Sequence, residues 1–273
     1  MGDESARHIL ANREGAILHV RLNRPEVRNA ITHQMVDRFN ALLDDAEDDK
    51  NVRVVVLSGE GPVFTAGHDL NEVKFETDST GPGGPQSQPY MRTLPRAWFF
   101  SKGLIAAVHG YVGPMGSILL APFDFIIAAD TVRFNLVISQ VGSSLPSHSD
   151  LLAFQVPMRV MLKMRMMGGF IDASTAAQLH LVQRVVPETE LLAETMRWAD
   201  ELSKVPTEQV RAAKTTTHRV YELMGLAAVM TAGSQVSGHS GEDKEFWDRV
   251  AEIGVRQAAA ERQAGRDMGI AKV

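Results

Sequence analysis

Two glycine-rich stretches carry most of the chemistry that can be read from this chain. The first is Gly61-Pro62-Val63-Phe64-Thr65-Ala66-Gly67-His68-Asp69-Leu70, which follows the apolar run Val52-Arg53-Val54-Val55-Val56-Leu57. The second is His109-Gly110-Tyr111-Val112-Gly113-Pro114-Met115-Gly116-Ser117, which follows Leu104-Ile105-Ala106-Ala107-Val108. Small residues at a strand end let a ligand approach the backbone and leave main-chain N–H groups able to face a developing negative charge, the chemistry of an oxyanion hole. A single stretch of this kind also serves simply as a turn. Two of them, each after a buried strand, can offer one N–H apiece to the same carbonyl oxygen.

The elements that must position these loops follow from periodicity. The stretch 16–22 alternates as a strand and ends in the turn Asn23-Arg24-Pro25. Thr32 caps an expected helix in which Met35, Val36, Phe39, Leu42, Leu43 and Ala46 recur at helical spacing, before an acidic, solvated tail at 44–49. Strands are expected near 52–57, 104–108, 124–129, 132–134 and 181–186, and helices over about 150–167 and 173–179. Long amphipathic helices are expected after Pro187 and Pro206. The Gly/Pro/Ser-rich segment 78–89 reads as a mobile surface stretch, either a cover for a site or an idle insertion. Strands alternating with helices early and helices late imply an α/β core followed by a helical region, divided here as 1–200 and 201–273.

Composition narrows the function classes. The 273 residues have the apolar and charged shares of an ordinary globular protein, and the net charge of −5 is spread along the chain, which suggests neither a nucleic-acid partner nor a membrane surface. The absence of cysteine excludes disulfides, thiolate catalysis and zinc–cysteine sites. The polar start and the lack of an apolar run of membrane-spanning length make a cytoplasmic protein the expectation.

Taken in order, Leu22-Asn23-Arg24-Pro25 with Asn29-Ala30, Phe64 to Leu70, Ala107-Val108-His109-Gly110-Tyr111, Asp124 to Phe134, and Pro206 with Lys214 resemble the enoyl-CoA hydratase/isomerase (crotonase) superfamily, a lyase and isomerase family of fatty acid metabolism, from about Ile17 to Phe246. The resemblance implies a crotonase spiral of ββα units, a C-terminal α-helical trimerisation region, and a homotrimer or dimer of trimers. It implies an acyl-CoA ligand whose thioester oxygen accepts two backbone hydrogen bonds, and no cofactor or metal beyond the coenzyme A of the substrate.

Carried over residue by residue, the two donors fall on the N–H groups of His68 and Met115, flanked by Ala66, Gly67, Asp69, Leu70, Gly113 and Gly116. Pro114 departs from the family's glycines: it has no N–H, but its fixed φ can preset the turn that presents Met115. Arg28 falls where the family often has a basic residue near the CoA phosphates, or is a plain surface arginine. The two glutamates of a family hydratase fall on Ile118 and Ile138, which neither titrate nor orient water. His148 and Asp150, in the irregular segment 142–150, are either a base with its orienting partner or, for Asp150 together with Ser149, the cap of the following helix. His109 and Tyr111 read as structural and Glu72 as a surface residue. The expectation is an acyl-CoA-binding protein with weak or no hydratase activity. The alternatives are an active superfamily enzyme (hydratase, isomerase, decarboxylase or thioester hydrolase) using His148 and Asp150, a carrier or sensor of acyl-CoA, and a structural oligomer.

Overall fold

The computed structural model describes residues 5–69, 72, 89–136 and 146–229; for residues 5, 89–92 and 146–150 it describes the backbone alone. The elements in order are α1 (Ser5–His8), β1 (Ile9–Glu14), β2 (Ile17–Leu22), α2 (His33–Asp48), β3 (Val54–Gly59), α3 (Pro89–Phe99), β4 (Gly103–Val108), β5 (Tyr111–Val112), α4 (Pro114–Leu120), β6 (Phe125–Ala129), β7 (Arg133–Phe134), α5 (Pro146–Gln155), α6 (Met158–Met167), β8 (Ile171–Asp172), α7 (Ala173–Gln178), β9 (Arg184–Val186), α8 (Leu191–Ser203) and α9 (Thr207–Leu223).

Six strands form one sheet in the order β1-β2-β3-β4-β6-β9; β1 and β2 are antiparallel and the remaining pairs parallel. A smaller sheet, β5-β7-β8, stands beside it. The fully buried run Val54 to Leu57 explains why β3 lies inside the large sheet, since a parallel strand covered on both faces reads as unbroken apolar residues. One face packs on α2 and α4 through Met35, Phe39, Leu43, Leu57 and Ile118. The other face places Val54, Val56, Ile105 and Ile127 with Leu191 and Ala199 of α8.

Thr32 caps α2 as expected, its hydroxyl accepting from Met35 N at 3.2 Å. At the other end the buried ammonium of Lys102 donates to the carbonyls of Ala46 and, at 2.8 Å, Asp49, so the helix C-terminus and its acidic tail offset a charge that burial would otherwise make costly. Lys214 of α9 reaches Asp124 Oδ2 at 3.0 Å; the same oxygen accepts from Leu104 N at 2.7 Å, fastening the helix to the sheet.

Several expected boundaries differ. The helix expected over 150–167 is two, because Pro157 lacks an N–H and its ring disfavours helix in the residue before it. Since α5 already begins at Pro146, Ser149 and Asp150 lie inside it rather than capping it. The strand expected from 181 begins at Arg184, as the N–H groups of Leu181 and Val182 close onto Ala176 O at the end of α7. The segment 78–88 and the chain beyond 229 lie outside the described residues.

Candidate functional site

The first loop leaves β3 at Gly59 and is held from below by the turn at residues 24–31. Asn29 is fully buried with φ 52°, a left-handed conformation that asparagine tolerates better than most residues. Its Oδ1 accepts from Arg24 N at 2.8 Å, and its Nδ2 donates to Glu60 O at 2.7 Å and Val63 O at 2.9 Å. The Thr65 hydroxyl donates to Asn29 O at 2.6 Å and accepts from Gly67 N at 3.0 Å. Ala66 N donates to Arg28 O at 2.8 Å, Ile31 N to Gly67 O at 2.7 Å and Asp69 N to Ile31 O at 2.9 Å. Arg24 closes the network, donating to Ala30 O at 2.7 Å and pairing with Asp69 Oδ2 at 2.9 Å, with both side chains largely covered. His68 therefore sits on a loop whose neighbours on both sides are anchored.

The second loop is stitched to the first. Thr65 N donates to Tyr111 O at 3.2 Å and Gly113 N to Thr65 O at 2.8 Å, so Thr65 and Val112 pair as a parallel bridge. The approach is close enough that a Cβ on Gly113 would stand 2.2 Å from Ala66 O and one on Gly116 would stand 2.4 Å from Thr65 Cγ2. Gly67, at φ +102°, faces Met115 directly: a Cβ there would be 3.6 Å from both Met115 N and Met115 Cβ. Pro114 is the first residue of α4, so Met115 carries the first N–H of that helix, one of the groups for which helix geometry offers no intrahelical acceptor.

Of the expected site residues, Ala66, Gly67, His68, Gly113, Met115 and Gly116 come together. Ile118, 4 % exposed, follows Met115 by three positions and so lies on the same side of α4. Arg28 is exposed, in a left-handed conformation, and touches the site through its carbonyl. The Asp69 carboxylate is committed to Arg24. His148 and Asp150 are the third and fifth residues of α5. Leu70 and Ile138 lie outside the described residues. His109 is structural, donating from Nε2 to Gly61 O at 2.7 Å, and Tyr111 packs edge-on against Phe170. Glu72, expected at the surface, has a side chain 34% exposed and accepts from His33 N at 2.6 Å, capping the first turn of α2. Sequence reasoning gave no role to Arg24, His33 or the Thr65 hydroxyl, whose partners lie up to 45 residues away.

Electrostatics make His68 a neutral group. Burial first, and then the neighbouring His33 ring, hold its imidazole down from an ordinary 6.5 to about 4, with Asp69 opposing them. The two rings meet edge-on at 6.3 Å. The unfolded chain would take up a proton near pH 6.5 that the folded one refuses until about pH 4, so this group costs stability as pH falls through that window. A shift of this size is worth up to about 3 kcal/mol. A His68→Gln variant is therefore expected to lose less stability than wild type between pH 7 and pH 4 in denaturant titrations; equal losses would contradict the assignment.

Two cavities stand apart from the meeting point of the loops. One, of about 290 Å³, is bordered by Ser117, Leu120 and Ala121, on the side of α4 turned away from Met115 and Ile118. The other, of about 580 Å³, lies between α3 and α9.

The chain matches a family model described as enoyl-CoA hydratase/isomerase over residues 12–252. It is 31% identical to a putative enoyl-CoA hydratase, EchA13, of Mycobacterium tuberculosis, over 80% of this chain and 74% of that protein. It is 30% identical to the human mitochondrial enoyl-CoA hydratase domain-containing protein 3, over 86% of this chain and 77% of that one. Among solved structures, a probable enoyl-CoA hydratase from Mycobacterium thermoresistibile superposes with TM-score 0.77 at 29% identity, covering 85% of this chain and 96% of the other. An enoyl-CoA hydratase/isomerase from Xanthobacter autotrophicus Py2 superposes with TM-score 0.83 at 26% identity, covering 94% and 97%.

Proposed function

The chain belongs to the enoyl-CoA hydratase/isomerase family, and from that premise we propose that it binds an acyl-CoA, holding the thioester oxygen between the N–H groups of His68 and Met115, without the acid and base of a hydratase. The supporting observation is the close contact of the two glycine-rich loops, in which Gly67 faces Met115 and Gly113 lies against Ala66. Both groups belong to rigid backbone, so they are set in place before the ligand arrives. Ile118 occupies the position one helical turn beyond Met115 with an aliphatic side chain, so the ligand's reacting carbons meet no titratable group there. In this reading Arg28, exposed beside the first loop, meets the CoA phosphates, as the family resemblance implies.

Calorimetric titration tests this reading. Two neutral hydrogen bonds at roughly 0.5–1.5 kcal/mol each should make an acyl-CoA bind roughly ten- to a hundredfold tighter than the thioether of the same chain length, which has no carbonyl oxygen. Equal affinities, or no binding of either, would sink the two-donor site.

The same family membership supports a homotrimer or dimer of trimers built through the helical region from residue 201. Although 17 residues long, α9 has no fully buried side chain among the described residues, and Val220, Leu223 and the adjoining Met224 are more than half exposed. Light scattering should give a trimer or hexamer; a stable monomer at micromolar concentration would contradict it. No described helix is long and apolar enough to cross a membrane.

A further inference from the structure

The cavity of about 580 Å³ between the end of α3, the following residues 100–101 and one face of α9 has no part in the thioester site. Its volume falls within the roughly 300–1,000 Å³ of small-molecule sites. One wall is aromatic. Trp98 stacks on His218 with ring centroids 3.7 Å apart and an interplanar angle of 15°, Phe100 is buried, and Phe99, 71 % exposed, forms a lip.

The opposite wall is cationic. Arg211, Lys214 and Arg219 line it, against the single carboxylate of Glu222. Lys214 is committed to Asp124 at 3.0 Å and to Lys102 O at 3.1 Å, and stands 5.9 Å from the centre of the Phe100 ring as a fixed positive charge. The arginines are held differently. Arg219 pairs with Glu222 at 2.8 Å and Arg211 with Glu208 at 3.2 Å, both exposed pairs one helical turn apart. Such pairs contribute little, so either guanidinium can turn to another anion at small cost. Ser101, buried in the wall, has a hydroxyl with no hydrogen-bond partner among the described residues, an arrangement that ordinarily costs stability.

We propose that this cavity is a second ligand site, for an amphiphilic carboxylate of the medium-chain fatty acid class, with its apolar body along Trp98, Phe99 and Phe100 and its carboxylate toward Arg211 and Arg219. Aromatic walls alone would accept any apolar molecule; two guanidinium groups held only by exposed carboxylates can exchange those partners for an anionic guest, and their fork suits a carboxylate. Burial, followed by the charge of Lys214, holds His218 down to about 4, so the ring stacked on Trp98 is neutral at physiological pH and presents an apolar face.

The test is calorimetric titration of the full chain with decanoate below its micelle concentration, alongside decan-1-ol and an acyl-CoA. Decanoate should bind saturably, one per chain, and the alcohol at least roughly tenfold more weakly, the scale of a lost charge-assisted hydrogen bond. The double variant R211E/R219E and the single variant F99A, all at exposed positions, should each weaken decanoate by a similar factor and leave acyl-CoA affinity within about twofold. Lack of saturable decanoate binding, binding that these variants leave undiminished, an alcohol bound as tightly as the acid, or one-for-one displacement of decanoate by acyl-CoA would each overturn the proposal. So would an F99A variant that dissociates an oligomer in a protein that binds no decanoate, which would assign this face to a second copy of the chain.

Discussion

Hydration of a short 2-enoyl-CoA by the wild-type protein is expected to run at least ~10⁴-fold below a competent hydratase, because each positioned acid or base is typically worth roughly 10²–10⁴ in rate and the site we propose supplies neither. Hydration needs a group to activate the water that attacks the β-carbon and a group to deliver a proton to the α-carbon. In the proposed reading the positions for these groups are Ile118 and Ile138, carried over from the family resemblance. Ile118 is 4 % exposed and packed into the core cluster with Met115 and Leu119. An oxyanion site on its own still polarises the thioester, but the addition then has neither a base nor an acid. Steady-state assays at saturating substrate decide the matter: turnover at an ordinary enzymatic rate, roughly 1–10³ per second, would refute the expectation. It would redirect attention to His148 and Asp150 of α5, whose alanine variants should then lose that activity. With wild type inactive, the double variant I118E/I138E is the converse test. Placing carboxyl groups in this apolar setting costs stability and raises at least one pKa, so the variant is scored only where acyl-CoA titration shows binding retained. A gain of hydration in that protein would show a pocket that keeps its geometry and lacks only its titratable groups.

The parts of this molecule that could be read from the sequence are those in which one property dominates locally. The valine run of β3, the buried strand β4 and the Thr32 cap of α2 each announce themselves within a few residues, and they place both glycine-rich loops at strand ends. Edge strand β1 was not legible, since four of its six residues are exposed and no apolar alternation survives. Helix α3 was hidden in the same way, beginning beside a Gly/Pro-rich stretch and carrying Pro95 in its interior. At the site the loops were legible and their scaffold was not. The anchors of the first loop, Asn29 to Glu60 and Val63, Thr65 to Asn29 and Arg24 to Asp69, join residues 31 to 45 positions apart. Nothing in local spacing distinguishes a buried threonine that holds a loop from one that merely fills a core. Glu72 shows the same limit: a charged residue in a polar stretch reads only as a surface group, while the backbone N–H groups at the start of α2 offer it a partner that only the fold brings near.

Replacing Gly113 by alanine should abolish the preference for an acyl-CoA over its thioether while the protein stays folded. The backbone at Gly113 has φ −68° and ψ 168°, a conformation open to any L-residue, so dihedral strain does not enter. The obstacle is steric. The added methyl would stand 2.2 Å from Ala66 O, 2.5 Å from Ala66 C and 2.9 Å from Gly67 N, all backbone atoms with no rotamer to change. Relief requires the two loops to part, which breaks the Gly113 N to Thr65 O bond of 2.8 Å and moves Met115 away from Gly67 and His68. In the proposed site, separating the loops removes the convergence of the two donors on a single oxygen even though both N–H groups survive. Thermal unfolding should show a loss of about 1–3 kcal/mol, the usual cost of an overpacked site. Titration should show acyl-CoA falling to the affinity of the thioether, with the thioether itself changed little. Gly15→Ala is the matched control: its φ of +60° carries the strain that Gly113 lacks, nothing lies within 4 Å of the added methyl, and it sits in the β1–β2 turn far along the chain from either loop. An acyl-CoA preference that survives Gly113→Ala in a folded protein would mean that the thioester oxygen is held somewhere other than between His68 and Met115.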